Sequence, residues 1–278
     1  MKEVLIPTDF SENSWNALKY AVSLFKNEAC NFYILHIGSL NDSVANQNSF
    51  ALPSEKMHPS IKEQLNLLFK HIEALPYNEK HHFIALQEYG NFIATVRKTV
   101  EVKKIELIVM GTKGASGIKA TVVGSNTGDV ITKVLCNVLV IPENAAAIIP
   151  KQIAFPTDYN LFYTHRILEA ITDMLRTSKA HLQVFNVSKT KTPLTNTQET
   201  HKIYLKDYLE ELFPNSHNFY SITGQNVKTA ILNYIADNQI EIVAMIAKNL
   251  NFFQQLLFDT TIEKLSFHTT VPMLVLHE

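Results

Sequence analysis

Short apolar runs punctuate the chain, and between them hydrophobic positions recur three and four residues apart. Residues 4–6 read as a buried strand, followed by N-cap chemistry at Ser11 and a helical pattern on Trp15, Leu18, Ala21, Val22 and Phe25. Residues 31–37 predict a second strand, and Ile61, Leu65, Leu68, Phe69 and Ile72 a helix within 60–75. A third strand at 82–86 and a third helix at 91–102 follow. The run 105–110 predicts a fourth strand, residues 124–135 a helix, and 138–141 a closing strand. Strand–helix alternation of this kind implies right-handed crossovers and a parallel sheet covered on both faces.

The pattern is written twice. Leu5-Ile6-Pro7-Thr8-Asp9-Phe10 returns as Ala154-Phe155-Pro156-Thr157-Asp158-Tyr159, and Ile105–Met110 returns at 240–245. From Ile105 and Ile240 onward the copies stay in step at a spacing of 135 through the terminal strand. The expected architecture is α/β: two tandem doubly wound domains, each a five-stranded parallel sheet with helices on both faces. The expected domains are 1–144 and 150–278, joined through a Pro- and Ala-rich stretch.

Composition narrows the class. The 278 residues are 46% hydrophobic and 18% charged, with a net charge of -1, which gives no general reason to expect nucleic acid or an anionic membrane as partner. Two cysteines exclude a disulfide framework and favour a reducing compartment. With no apolar run near membrane-spanning length, the chain reads as a soluble cytoplasmic protein.

Glycine is the uneven ingredient. Five of the eight glycines fall within residues 111–128, directly after the 105–110 run. Gly111 and Gly114 can form a turn whose amides face a ligand, and Gly124-Ser125-Asn126-Thr127 opens a helix whose start offers unpaired N–H groups to an anion. Lys113 and Lys119 can neutralise charge. The spacing is neither a Walker A loop nor a dinucleotide fingerprint. From glycine spacing alone, an ordinary surface loop with a serine cap serves equally well.

Gly-x2-Gly-x9-Gly-Ser after an apolar strand, with Pro-Thr-Asp closing the first strand, resembles the nucleotide-binding signature of the universal stress protein family. The resemblance implies ATP or another adenine nucleotide such as AMP, with Mg2+ as an optional companion. It assigns ribose and base to Pro7, Thr8, Asp9 and the main chain near Ile37. It assigns phosphates to Gly111, Lys113, Gly114, Gly124, Ser125, Asn126 and Thr127, and counts Met110 among the residues that bind the nucleotide. A carboxylate suits the sugar end, because Asp9 accepts from hydroxyls and repels phosphate; Asp9 also reads as a helix cap. The resemblance further implies that 138–141 pairs with 273–276 in an intramolecular pseudo-dimer, with a homodimer as a further option.

The second copy departs from the signature. Ile246 stands opposite Gly111, Asn249 opposite Gly114 and Asp259 opposite Gly124, and only Asp158 survives. This copy is expected not to bind ATP in the family manner. Its apolar stretch 250–258 is a candidate interface or pocket cover. Polar connectors at 39–56 and 188–200 are expected loops, the first a candidate lid. No metal-binding or hydrolase motif is present, and no general base or paired-carboxylate metal site stands out. The favoured role is a regulatory nucleotide-binding protein. A slow ATPase or self-phosphorylating protein, with Ser125 or Thr127 as acceptor, and a nucleotide-free scaffold are the rivals.

Overall fold

The structure is a computed structural model that describes residues 1–38, 60–76, 78–112, 125–188, 193–224, 226–249 and 271–278. Among the described residues, ten strands form one continuous sheet. In chain order they are β1 Lys2–Pro7, β2 Cys30–Gly38, β3 His81–Tyr89, β4 Leu107–Gly111, β5 Asn137–Ile141, β6 Gln152–Pro156, β7 His181–Ser188, β8 His217–Thr223, β9 Ile242–Ile246 and β10 Met273–Leu276. Their order across the sheet is β3-β2-β1-β4-β5-β10-β9-β6-β7-β8. Every neighbouring pair is parallel except β5 with β10.

That antiparallel pair sits at the middle, with Leu139 opposite Leu274 and Val140 opposite Met273. Leu139 and Leu274 are counterparts in the repeat, 135 residues apart, so the register itself has a local two-fold relation at this pair. Pairing satisfies a backbone ladder that each set of five strands would otherwise leave open.

The helices among the described residues are α1 Glu12–Leu24, α2 Ile61–Glu73, α3 Phe92–Lys103, α4 Ser125–Lys133, α5 His165–Ser178, α6 Asn196–Leu212 and α7 Val227–Asp237. Their starts follow local chemistry. Ser11 caps α1 by accepting from the Ser14 amide, Ser60 and Glu63 form a reciprocal capping box on α2, and Asn91 and Asn226 cap α3 and α7. Alternate strand residues point to opposite faces, and each face has its own core. Helices α1, α2, α5 and α6 cover one, against Val4, Ile6, Val109, Leu139 and Leu274; α3, α4 and α7 cover the other, against Leu5, Ile108, Val138 and Val275. Strands β4 and β9 are buried along their whole length, as expected for central parallel strands.

One sequence expectation needs correction. Residues 188–200 are not a loop throughout: α6 begins at Asn196, behind a capping box of Thr195 and Gln198. The helix is polar over most of its surface, and only Leu205 and Leu209 are buried on it.

Candidate functional site

The site begins where β1 and β4 lie side by side, with Val4 opposite Leu107 and Leu5 opposite Ile108. The chain leaves β1 for α1 on one face, while α4, the helix after β4, packs on the other. Strand order therefore reverses between them, and the crevice beyond their carboxyl ends is where an open α/β sheet accepts a ligand.

Past Pro7 the backbone is held tightly. The Thr8 amide donates to the Leu35 carbonyl at 2.8 Å, and the Thr8 hydroxyl shares a 3.1 Å hydrogen bond with Ser14 Oγ. The same Thr8 hydroxyl accepts from the Phe10 amide at 3.1 Å. Phe10 takes a left-handed conformation at φ 63°, which a bulky side chain rarely adopts. Its ring stacks on His36, with centroids 4.5 Å apart. His36 Nδ1 lies 2.9 Å from the Thr8 carbonyl oxygen, an acceptor, so that nitrogen carries the proton. Asp9 Oδ1 accepts from the Ser11 amide at 3.1 Å and from Ser11 Oγ at 2.6 Å. Ser11 thus caps α1, and Asp9 orients Ser11.

Opposite this loop, Met110 and Gly111 end β4, paired with Val140 and Ile141. A Cβ placed on Gly111 would fall 2.8 Å from Asn13 Cγ, so the bare main chain here also makes room for α1. Thr127 is buried, and its hydroxyl donates to the Gly111 carbonyl at 2.8 Å. This fastens the first turn of α4 to the end of β4. Ser125 and Asn126, the first described residues of α4, are exposed.

The structure thus brings Pro7, Thr8 and Asp9 to the same crevice as Met110, Gly111, Ser125, Asn126 and Thr127, with Ile37 at the end of the adjoining strand β2. Lys113, Gly114, Gly124, the 39–56 connector, Asp259 and the 250–258 stretch lie outside the described residues. Clefts lined by described residues occur elsewhere, at the amino ends of β1 and β4. Asn13 is the site neighbour that motif reading missed. Its signal is that residue 111 must be small for Asn13 to stay buried.

The corresponding place in the second copy is built differently. Tyr159 repeats the left-handed turn at φ 57°, and its amide again meets a threonine hydroxyl, Thr157, at 3.1 Å. Asn186 Nδ2 donates to the Thr157 carbonyl at 3.0 Å, as His36 does to Thr8. The Asp158 carboxylate is occupied by Asn160, through its amide at 3.0 Å and its Nδ2 at 2.7 Å. Gln198 of α6 reaches the Asp158 carbonyl at 2.9 Å and Asn160 Oδ1 at 3.1 Å. Tyr163 is fully buried against Phe155, with its hydroxyl 2.7 Å from Thr157 Oγ1. Ile246, in the place of Gly111, is buried as well.

Among the described residues, no group of three His, Cys, Asp or Glu side chains could hold a metal ion, and no helix is long and apolar enough to cross a membrane.

Fold and crevice define a doubly wound α/β protein with a crevice at the strand switch point. The chain belongs to the universal stress protein family, whose family model matches residues 1–142. A universal stress protein of Methanocaldococcus jannaschii is 31% identical over 144 residues, which span 51% of this chain and 82% of that protein. The fold is shared with a universal stress protein from Archaeoglobus fulgidus, at a TM-score of 0.63 and 18% identity, over 99% of this chain and 96% of the other. A protein of unknown function from Pseudomonas aeruginosa aligns with a TM-score of 0.59 and 16% identity, over 99% of this chain and 92% of that one.

Proposed function

We propose that this chain is a nucleotide-responsive regulatory protein that binds an adenine nucleotide, ATP foremost, in its first copy alone. What supports this reading is the juncture of β1 and β4, whose carboxyl ends lead on to Asp9 on one side and towards α4 on the other. Asp9 provides acceptor oxygens for ribose hydroxyls. The first turn of α4, fastened to Gly111 through Thr127, provides partial positive charge for the phosphates. Lys113, Gly114 and Gly124 complete the phosphate side by their place in the signature.

The second copy serves as a structural partner. Ile246 and Tyr163 fill its core where the first copy has Gly111 and Ser14. The β5–β10 pairing supports reading the two copies as an intramolecular pseudo-dimer. Nucleotide occupancy of the first copy would then be read out by partners across a shared sheet.

Mass analysis of material released from purified protein, followed by calorimetric titration with ATP, AMP and cyclic AMP, tests this reading. One adenine nucleotide per chain is expected, with binding weakened tenfold or more by Asp9→Ala. Binding that survives Asp9→Ala but is lost in Asp158→Ala would place the site in the other copy and overturn the reading.

A further inference from the structure

Helix α4 depends on what holds its two ends. Its nine residues are too few to make a stable helix alone, and Thr127, Val130 and Ile131 are the residues buried on it. Lys133 pairs with Asp129 at 2.7 Å along its exposed side. At the start, the Thr127 hydroxyl fastens the helix to Gly111. At the far end the last carbonyls of a helix have no partner within it, and here side chains from other elements supply donors.

Those side chains come from both copies. Arg97 of α3, in the first copy, donates through Nε to the Lys133 carbonyl at 2.6 Å. Arg166 of α5, in the second copy, donates through Nη2 to the Leu135 carbonyl at 3.1 Å. The buried His277, just past β10, lies against the main chain of Ile131. Two guanidinium groups thus stand at the negative end of the helix dipole, the placement that stabilises a helix.

Arg166 is also where the two copies differ. Its Nη1 donates to the Glu278 carbonyl at 3.0 Å, and Glu278 is the counterpart of Glu143 at the spacing of 135. In the first copy the Glu143 carbonyl is met by Asn16 of α1, whose Nδ2 lies 3.3 Å away and also reaches the Pro142 and Ala145 carbonyls at 3.3 and 3.1 Å. Asn16 therefore serves the stretch that follows β5 of its own copy. Arg166 has a longer side chain and a planar fork, and it spans two carbonyls at once, one after β10 and one across the seam after α4.

We infer that Arg166 is a positioning residue for the nucleotide site of the first copy, acting from the second. By holding the far end of α4 it steadies the first turn of that helix, roughly 13 Å away, against the phosphates. This role rests on the nucleotide reading and gives the second copy a part in affinity without a ligand of its own. Linkage makes the coupling mutual: a nucleotide that orders the start of α4 strengthens the grip of Arg166 on its end.

The test is calorimetric titration of the full chain with ATP and with adenosine, in the wild type, Arg166→Ala, Arg166→Lys and Arg176→Ala. Both arginines are exposed on α5, and Arg176 pairs with Asp173 instead. Arg166→Ala should weaken ATP binding about twofold to fivefold, the span expected for one cation at a helix end, and leave adenosine, which has no phosphate, unchanged. Arg166→Lys should recover part of the loss, and Arg176→Ala should cause none. Without ligand, the amides of residues 125–135 should exchange with solvent faster in Arg166→Ala than in the wild type. Equal weakening of ATP and adenosine, ATP binding that Arg166→Ala leaves intact, or unchanged exchange across 125–135 overturns the role of Arg166 alone. A wild-type chain that binds neither ligand overturns the nucleotide reading and this role together.

Discussion

Asn13 of α1 occupies the space a side chain at position 111 would need: a Cβ on Gly111 would stand 2.8 Å from its Cγ. Both residues lie at the mouth of the crevice between β1 and β4, so packing of the first helix and openness of the site depend on the same bare Cα. Gly111→Ala should destabilise the protein by about 1–3 kcal/mol, the usual cost of overpacking a filled site. In an Asn13→Ala background the same substitution should cost measurably less. Denaturant midpoints of the four proteins in a double-mutant cycle give the coupling directly.

The buried hydrogen bond from Thr127 to the Gly111 carbonyl joins the start of α4 to the end of β4. Thr127→Val keeps the shape and removes the donor, leaving a buried carbonyl unsatisfied at a cost of about 1–3 kcal/mol. Thr127→Ser should recover most of that loss. Because the hydroxyl is committed to the main chain, Thr127 makes a poor phosphoryl acceptor; phosphopeptide mapping after incubation with labelled ATP should find it unmodified.

Cys30 and Cys136 are buried, and burial, foremost, pushes both thiols up to about 12. Neighbouring carboxylates reinforce the effect at Cys30, while Arg166 opposes it at Cys136. Since the thiolate is the nucleophile, a disulfide reagent at pH 8 should titrate neither cysteine in the folded protein and both after unfolding. The raised values also fix a sign. Below the ordinary thiol value of 9.0 both states are protonated and the contribution to stability is whole; as pH climbs from there towards 12 only the unfolded chain ionises, and that stability is lost.

His277 behaves in the opposite sense. It is buried at the end of β10, and its amide donates to Asn137 Oδ1 of β5 at 2.9 Å. Burial first, then the Arg166 guanidinium, lowers its pKa below the ordinary 6.5, against a backbone hydrogen bond with Ile131 that raises it. The unfolded chain therefore takes up the proton more readily, so this contribution is present above pH 6.5 and is lost as pH falls below it. His277→Gln should flatten the stability profile between pH 5 and 7, measured by thermal unfolding in matched buffers.

Much of the scaffold was legible because buried parallel strands leave apolar runs that tolerate little else. The stretches ending β1 and β4 and their repeats in β6 and β9 were placed within a residue or two. The start of α6 was hidden, since a helix that buries only Leu205 and Leu209 leaves a faint pattern; Thr195-x-x-Gln198 was the overlooked cue. The contact of Asn13 with Gly111 spans the β1–α1 and β4 ends, and no local spacing encodes it. Pairing of β5 with β10 was suggested only by resemblance, because a strand's sequence shows that it is buried without naming its neighbour.

The seam at Leu139 and Leu274 has one more consequence. Severing the chain within residues 142–149 and producing either fragment alone would strip its outermost strand of a mate. The readiest relief for such a fragment is to meet its own twin in the same head-to-tail register. Each fragment should therefore emerge from a sizing column at twice its mass, and mixing the two should rebuild the original pairing at the expense of the twins.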